Sequence, residues 1–397
     1  MKYDCIIIGS GLAGLTCGIR CAEAGLNCAV ISAGMSALHF ASGSIDLLGR
    51  RSDNTIVGDP FDQLPEFLAS NPKHPYARCG EQLIRESMSF FVDQLKEQSI
   101  TLCQNGSRNH FHLTTYGTLT PTFLSQQSVY SPELEAAFFA NTEMALVSFE
   151  GFRDFHIPLI EANLPKHSLF RNRRITTGIV ELSSLIKSGK NPHEFRSIDI
   201  SRMFETEETL PQMANQIDRI SGSTGIVGLP ACIGLMQHID VYQKLQDLTG
   251  RLVYEIPTLP PSILGMRLDN ALKSRFSALG GVLISGDKVT GGHFQAEKLT
   301  GLQTRNYAAD LLEADQFVLA GGSFFSGGLV SDSTGMREPA LDLVLSYDKN
   351  RTNWAGNLFF QQESHAFLEF GVKTNEALNP FLKDGRCIEN LHCAGAI

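Results

Sequence analysis

The chain has 397 residues, 43% of them hydrophobic, and a formal charge of −9. That length and apolar content allow two or three domains with full cores and no staples, and the acidic balance argues against the broad basic surface of a nucleic-acid partner. The nine cysteines, Cys5, Cys17, Cys21 and Cys28 among them, are scattered without a C-x-x-C pair. This is the pattern of reduced structural thiols in a cytosolic protein with no zinc or iron–sulfur site of its own. No apolar run approaches the roughly twenty residues that span a bilayer, so no direct membrane span is expected. Asp4 and the glycine pattern argue against a signal peptide.

In chain order, Cys5 to Ile8 is a β-branched apolar run that predicts a buried strand. It meets Gly9, Gly11 and Gly14 in the spacing G-x-G-x-x-G, followed by a predicted helix from Leu15 to Gly25 and a second strand from Cys28 to Ile31. In such a βαβ unit the first glycine makes the turn, the second lets the backbone approach a phosphate and the third brings helix and strand together. Gly9, Ser10, Gly11, Leu12, Ala13 and Gly14 are therefore candidate cofactor-binding residues, with an anionic group on the free N–H groups of the helix. An acid that grips an adenosine ribose is expected at the end of the second strand. Ser32 stands there, and no Asp or Glu occurs between Glu23 and Asp46. FMN, which has no adenosine ribose, is the cofactor this favours; FAD held through Ser32 and backbone groups is the alternative.

The loop from Ser36 to Asp46 leaves the carboxyl end of that strand, the edge where open α/β sheets bind ligands. Its Ser42, Gly43 and Ser44 can offer hydroxyls and amides to a phosphate or a flavin ring. Leu83, Met88, Phe91 and Leu95 predict an amphipathic helix over 78–98. From Thr101 short alternating segments, His110–Tyr116 and Thr118–Leu124, predict antiparallel strands, and helices are expected over 191–204 and 207–220. Residues 116–249 are read as an inserted mixed α/β cap or substrate domain. Within it Arg171, Arg173 and Arg174 suit either a phosphate or a solvated loop. A strand at Leu252–Ile256 and a helix reaching Leu279 follow. Arg267 on that helix keeps unusually apolar company, so it is either paired or reaching into a site. The strand Ala314–Ala320 ends in Gly321 and Gly322, where small residues let a cofactor approach. The fold class is thus α/β: a Rossmann-like FAD/NAD(P)-binding flavoprotein domain from 1–115 and 250–397, interrupted by the 116–249 cap.

Five segments together, G-S-G-L-A-G-L, S-A-L-H-F-A-S-G-S-I-D-L-L, P-P-S-I-L-G-M-R-L, F-V-L-A-G-G and I-E-N-L-H-C-A-G-A, resemble the family of B subunits of anaerobic glycerol-3-phosphate dehydrogenase. The resemblance covers nearly the whole chain. It implies a flavoprotein subunit, usually with FMN, working with an FAD-bearing A subunit and an iron–sulfur, membrane-anchoring C subunit. It further implies oxidation of sn-glycerol 3-phosphate to dihydroxyacetone phosphate, with electrons sent toward a quinone and fumarate or nitrate as terminal acceptor. The protein is then cytoplasmic, peripheral at the inner membrane through a partner subunit. Proteins of this type follow the A-G-A with a glycine-rich loop and a helix aimed at the flavin. This sequence ends at Ile397, so weaker flavin retention is expected.

Oxidising a secondary alcohol through a flavin requires a base for the hydroxyl proton and cations for the substrate phosphate. His39 and His365 are the candidate bases, and Arg267 and Arg337 the candidates for phosphate or for the reduced flavin's charge. The protein can be catalytic or relay electrons from the A subunit. A different FAD-dependent oxidoreductase, or a cofactor-poor assembly partner on the same scaffold, are the competing classes.

Overall fold

The computed structural model describes residues 2–185, 191–307, 310–358 and 364–397. The chain divides into two compact units, one of Met1–Ala37, Pro72–Ser87 and Asp269–Ile397, the other of Leu38–Asn71 and Met88–Leu268.

In the first unit β1 (Lys2–Ile8), α1 (Leu12–Glu23) and β2 (Cys28–Ser32) form the expected strand–helix–strand. β1 and β2 are parallel, in register from Cys5–Cys28 to Ile8–Ile31. Ile6, Ile7, Ala29 and Val30 are fully buried, because strands covered on both faces carry unbroken apolar runs. The thiols of Cys5, Cys17, Cys21 and Cys28 meet where α1 lies on these strands. The sheet has seven strands. Val282–Ser285 extends it beside β2 and Leu312–Leu319 lies on the other side of β1, both parallel. Leu391–Cys393 runs parallel beside the end of Leu312–Leu319, whereas Lys298–Thr304 and Val289–Gln295 add an antiparallel pair at its start. The Rossmann-like sheet is thus completed by segments some three hundred residues distant from the motif it supports.

The second unit holds a four-stranded parallel sheet in the order Leu252–Ile256, Ile226–Pro230, Met144–Phe149, Ile175–Val180. Helices Ser197–Phe204, Leu210–Ser221 and His238–Thr249 belong to the same unit, and Phe149 meets Phe204 edge-on at 5.7 Å in its core. This unit is larger than the 116–249 segment expected of a cap. Leu252–Ile256 is a strand of its sheet, and Ile45 bridges to Leu124 while Leu102 pairs with Gln126, so 38–71, 88–115 and 250–268 fall to it. The expected 191–204 helix is a short turn at Pro192–Glu194 followed by Ser197–Phe204. The predicted hairpin is present as His110–Leu113 against Leu119–Thr122. It turns two histidines inward, with His110 and His112 only 1% and 4% exposed.

Burial disfavours the charged imidazole: it pushes His110 down from 6.5 to about 3, and it lowers His112 as well. Below about pH 6.5 the unfolded chain therefore binds protons that the folded chain does not. Stability from these groups is complete above that pH and is lost as the pH falls through 6.5 toward 3. In urea titrations between pH 7 and pH 5, the midpoint of the parent should fall more steeply than that of His110→Gln.

Candidate functional site

The glycine loop is shaped by backbone contacts. Gly9 has φ of +112°, and a Cβ there would collide with the carbonyl of Ala320 at the end of the Leu312–Leu319 strand. A Cβ at Gly14 would collide with the Gly9 carbonyl. Both glycines are thus required by the fold. Gly11 is different: its backbone is extended, with φ −79° and ψ −173°, and a Cβ would meet nothing within 4 Å. Neither conformation nor packing explains its missing side chain, and the space over the N-terminus of α1 is open. No side chain caps that N-terminus and no acid lies in its first turn, which leaves its N–H groups and dipole for an anion.

Around this loop the chain brings together Ser32, Gly321 and Gly322. Ser10 donates to the hydroxyl of Ser32 at 2.7 Å, and Ser32 donates to the Gly34 carbonyl at 2.8 Å. Gly321 and Gly322 follow Ala320, with Gly328 packed on their backbone, and Gly395 of the late A-G-A lies against Ala13. Three of the five segments quoted for the resemblance therefore converge on one crevice beyond the carboxyl ends of parallel strands, where doubly wound sheets bind nucleotides.

The other two segments converge in the second unit. Ser262 N–H donates to the His39 carbonyl at 2.8 Å, Gly265 lies against the Leu38 carbonyl, and Gly43, with φ +76°, lies against Leu264. The loop of Ser42, Gly43 and Ser44 is thus seated on the start of helix Ile263–Ala278. Arg267 secures that seat. It is 2% exposed and grips Glu255, itself fully buried, through Nη1 at 2.7 Å and Nη2 at 3.0 Å. Its remaining N–H groups go to Gln126 and to the carbonyls of Ile233 and Gly234. Of the two roles expected for Arg267, pairing is the one found; no donor of its fork is left for a substrate phosphate. A cavity of about 60 Å³ beside the pair is lined in part by Gln126, Ser128, His238 and Tyr242, and burial pushes His238 down to about 4.

The remaining candidates are dispersed. His39 is half-buried in the turn Ala37–Phe40. His365 accepts the Gly356 N–H at Nδ1 (3.0 Å) and stacks on Phe367, whose ring meets Phe324 just after Gly322. Arg337 is exposed on a small hairpin, Val330–Asp332 against Gly335–Arg337. Arg173 is buried between the rings of Phe138 and Phe170 and donates to the carbonyls of Phe138 and Thr142, which braces the second unit, while the exposed Arg174 faces Glu143 at 3.5 Å. Sequence reasoning missed Glu255, whose only signal is one acid in an apolar strand, and the inward-facing His110. Among the described residues no group of His, Cys, Asp and Glu could hold a metal ion, and no helix is long and apolar enough to cross a membrane.

Residues 4–397 match the sequence model of a family described as an FAD binding domain. Similar proteins include the B subunit of anaerobic glycerol-3-phosphate dehydrogenase from Aliivibrio fischeri, 37% identical over 408 residues that take in all of this chain and 90% of that one. The protein of the same name from Yersinia enterocolitica is also 37% identical, over 398 residues, all of this chain and 92% of that one. Among solved structures, 3-ketosteroid delta1-dehydrogenase from Sterolibacterium denitrificans covers 81% of this chain and 48% of its own at 13% identity, with a TM-score of 0.37, too loose a likeness to carry an argument. The cofactor class is therefore a flavin, and the open cradle over Gly11 fits its phosphate.

Removing one partner of a buried ion pair strands the other and costs about 3–5 kcal/mol, whereas replacing both with apolar residues of similar volume is often near neutral. Arg267→Met alone should lower the denaturation midpoint sharply, and Arg267→Met with Glu255→Met should recover most of the loss.

Proposed function

Since the chain belongs to the family of anaerobic glycerol-3-phosphate dehydrogenase B subunits, we propose that it is a flavin-bearing subunit that takes part in oxidising sn-glycerol 3-phosphate to dihydroxyacetone phosphate and in passing the electrons toward a quinone. Its relatives are named as one subunit of a larger enzyme. The partners proposed are an FAD-bearing A subunit and an iron–sulfur C subunit that holds the complex at the inner membrane from the cytoplasmic side. The first unit is the flavin-binding domain.

The observation that carries this reading is the space above Gly11 at the uncapped N-terminus of α1. FAD, in place of the FMN favoured by the missing acid, is the form proposed, because the family matched over residues 4–397 is an FAD binding domain. Ser32 accepts one hydrogen bond from Ser10 and donates its own proton to Gly34, so one lone pair remains to accept from a ribose hydroxyl. That is a weaker hold than a carboxylate gives. When bound, the flavin supplies the hydride acceptor for alcohol oxidation. Within the first unit, the protein's task is to hold the pyrophosphate on the N–H groups of residues 11–14 and to take the hydroxyl proton on His365. Arg337 is the cation proposed for the substrate phosphate; Arg267 is not, since all its donors are used.

Two valine substitutions separate ligand space from fold. Gly11→Val should leave circular dichroism and melting unchanged while the purified protein loses its flavin absorbance. Gly14→Val, driven into the Gly9 carbonyl, should yield aggregated or unfolded protein. Full flavin content in a folded Gly11→Val protein would contradict the proposal.

A further inference from the structure

Four of the nine cysteines, all free thiols, lie between Cys5 and Cys28, and the first unit folds them together. Cys5 and Cys28 are in-register partners on the parallel strands β1 and β2, so their side chains leave the sheet on one face. Cys17 and Cys21 stand one turn apart on α1, a spacing that shares a helix face. Gly14 packs on Ile7 and Gly18 on Val30, so the later residues of α1 run back over the starts of both strands. Cys21 is the hub. Its sulfur meets those of Cys5, Cys17 and Cys28, and Cys5 also meets Cys28. Cys5 and Cys28 are 3% and 1% exposed, whereas Cys17 and Cys21 are half-buried. Cys21 thus connects an enclosed pair of thiols to solvent.

Thiols buried in apolar surroundings are inert, because burial disfavours the thiolate. Burial pushes Cys393 up to about 12 in this way, and it raises Cys232 well above the ordinary range. Cys21 differs. The thiols of Cys17, Cys28 and Cys5 all donate to its sulfur, which lowers it below the ordinary range, and donating to Cys21 raises each of them in turn. The thiolate is the form that oxidants attack.

Backbone geometry selects its partner. A disulfide brings two β-carbons to about 3.8 Å, whereas residues one helical turn apart hold theirs about 5–6 Å apart, which excludes Cys17. Cys5 is fixed in a strand paired on both sides, with Cys28 and with Gln316. Cys28 opens β2 directly after the turn at Gly25, and pairing with the strand Val282–Ser285 starts only at Ala29. Cys28 is therefore the strand thiol that is free to move toward the helix.

We propose that Cys21 and Cys28 form a peroxide-sensitive dithiol, in which Cys21 is oxidised and Cys28 resolves it into a disulfide. The Cys21 thiolate attacks one oxygen of hydrogen peroxide; the O–O bond breaks, an S–O bond forms, hydroxide leaves and the sulfur has lost two electrons. The Cys28 sulfur then attacks that of Cys21, an S–S bond replaces the S–O bond, and the hydroxyl leaves with the Cys28 proton as water. A dithiol reductant reverses the step by exchange. The bridge ties the C-terminal end of α1 to the start of β2, on the helix that carries the glycine loop at its other end. None of this depends on which flavin the protein holds.

Peptide mapping of the whole protein tests the proposal. No Lys or Arg lies between Arg20 and Arg50, so trypsin leaves Cys21 and Cys28 as the two cysteines of one peptide, with Cys5 and Cys17 in another. After stoichiometric hydrogen peroxide, and alkylation in denaturant, peptide 21–50 should be unalkylated and lighter by two hydrogens. Dithiothreitol should restore its alkylation, and Cys5 and Cys17 should be alkylated throughout. Cys28→Ser should leave a sulfenic acid at Cys21 that dimedone traps, and Cys21→Ser should leave Cys28 unoxidised. Full alkylation of Cys21 and Cys28 while the exposed Cys79 is oxidised overturns the proposal. So does a disulfide that links the two peptides, or dimedone on Cys28 in Cys21→Ser.

Discussion

Two glycines in backbone contact set the working end of the first unit. Because nothing but hydrogen fits between the Gly14 Cα and the Gly9 carbonyl, α1 lies directly on β1 and its N-terminal amides open at the carboxyl edge of the sheet. Gly9 in turn fits against Ala320, so the late strand Leu312–Leu319 can pair with β1 along its whole length from Lys2 to Ile8. The same close approach extends to Gly395 beside Ala13. Small residues are concentrated where main chains from opposite ends of the sequence meet, and the crevice they leave is lined by amides. A lining of that kind holds an anion without a cation.

The second unit is organised by charge that is buried and fully answered. Glu255 accepts from Arg267 at both oxygens, from the Ser128 hydroxyl at 2.6 Å and from the Ile233 N–H at 2.8 Å. Arg267 spends its other donors on Gln126 and on the carbonyls of the turn after Ile226–Pro230. Such a cluster adds little net stability over an apolar core, yet it is expensive to break, and it fixes the strand, the turn and the helix start in one arrangement. Gln126 carries the arrangement to the Leu264 carbonyl, on whose residue Gly43 rests. The S-G-S loop is therefore placed by a polar core several residues away from it.

Much of this was legible in the sequence because it is local. A β-branched run, three glycines at fixed spacing and a second apolar run identify β1, α1 and β2 wherever they occur, and the paired glycines after Leu319 mark a strand end of the same kind. What could not be read was set by pairing over long distances. The reach of the second unit depends on Ile45 bridging to Leu124 and on Leu252–Ile256 joining Ile226–Pro230, neither of which leaves a mark in the intervening residues. Arg267 was recognisable as out of place among apolar neighbours, but its partner Glu255 sits on another element. The H-F-H-L pattern announced a strand without saying which face is buried. The missing ribose acid was real, and Ser32 is tied to Ser10 and Gly34 in its place; one position nevertheless weighs less than a family likeness that runs from residue 4 to residue 397.

Central to the proposed function is a dinucleotide flavin resting its pyrophosphate on residues 11–14. Protein purified under native conditions and then denatured should release one small yellow molecule, and mass spectrometry of the supernatant identifies it directly. The predicted result is FAD in near-stoichiometric amount. A supernatant that contains a nicotinamide nucleotide, or no nucleotide from protein that is fully folded, would contradict it.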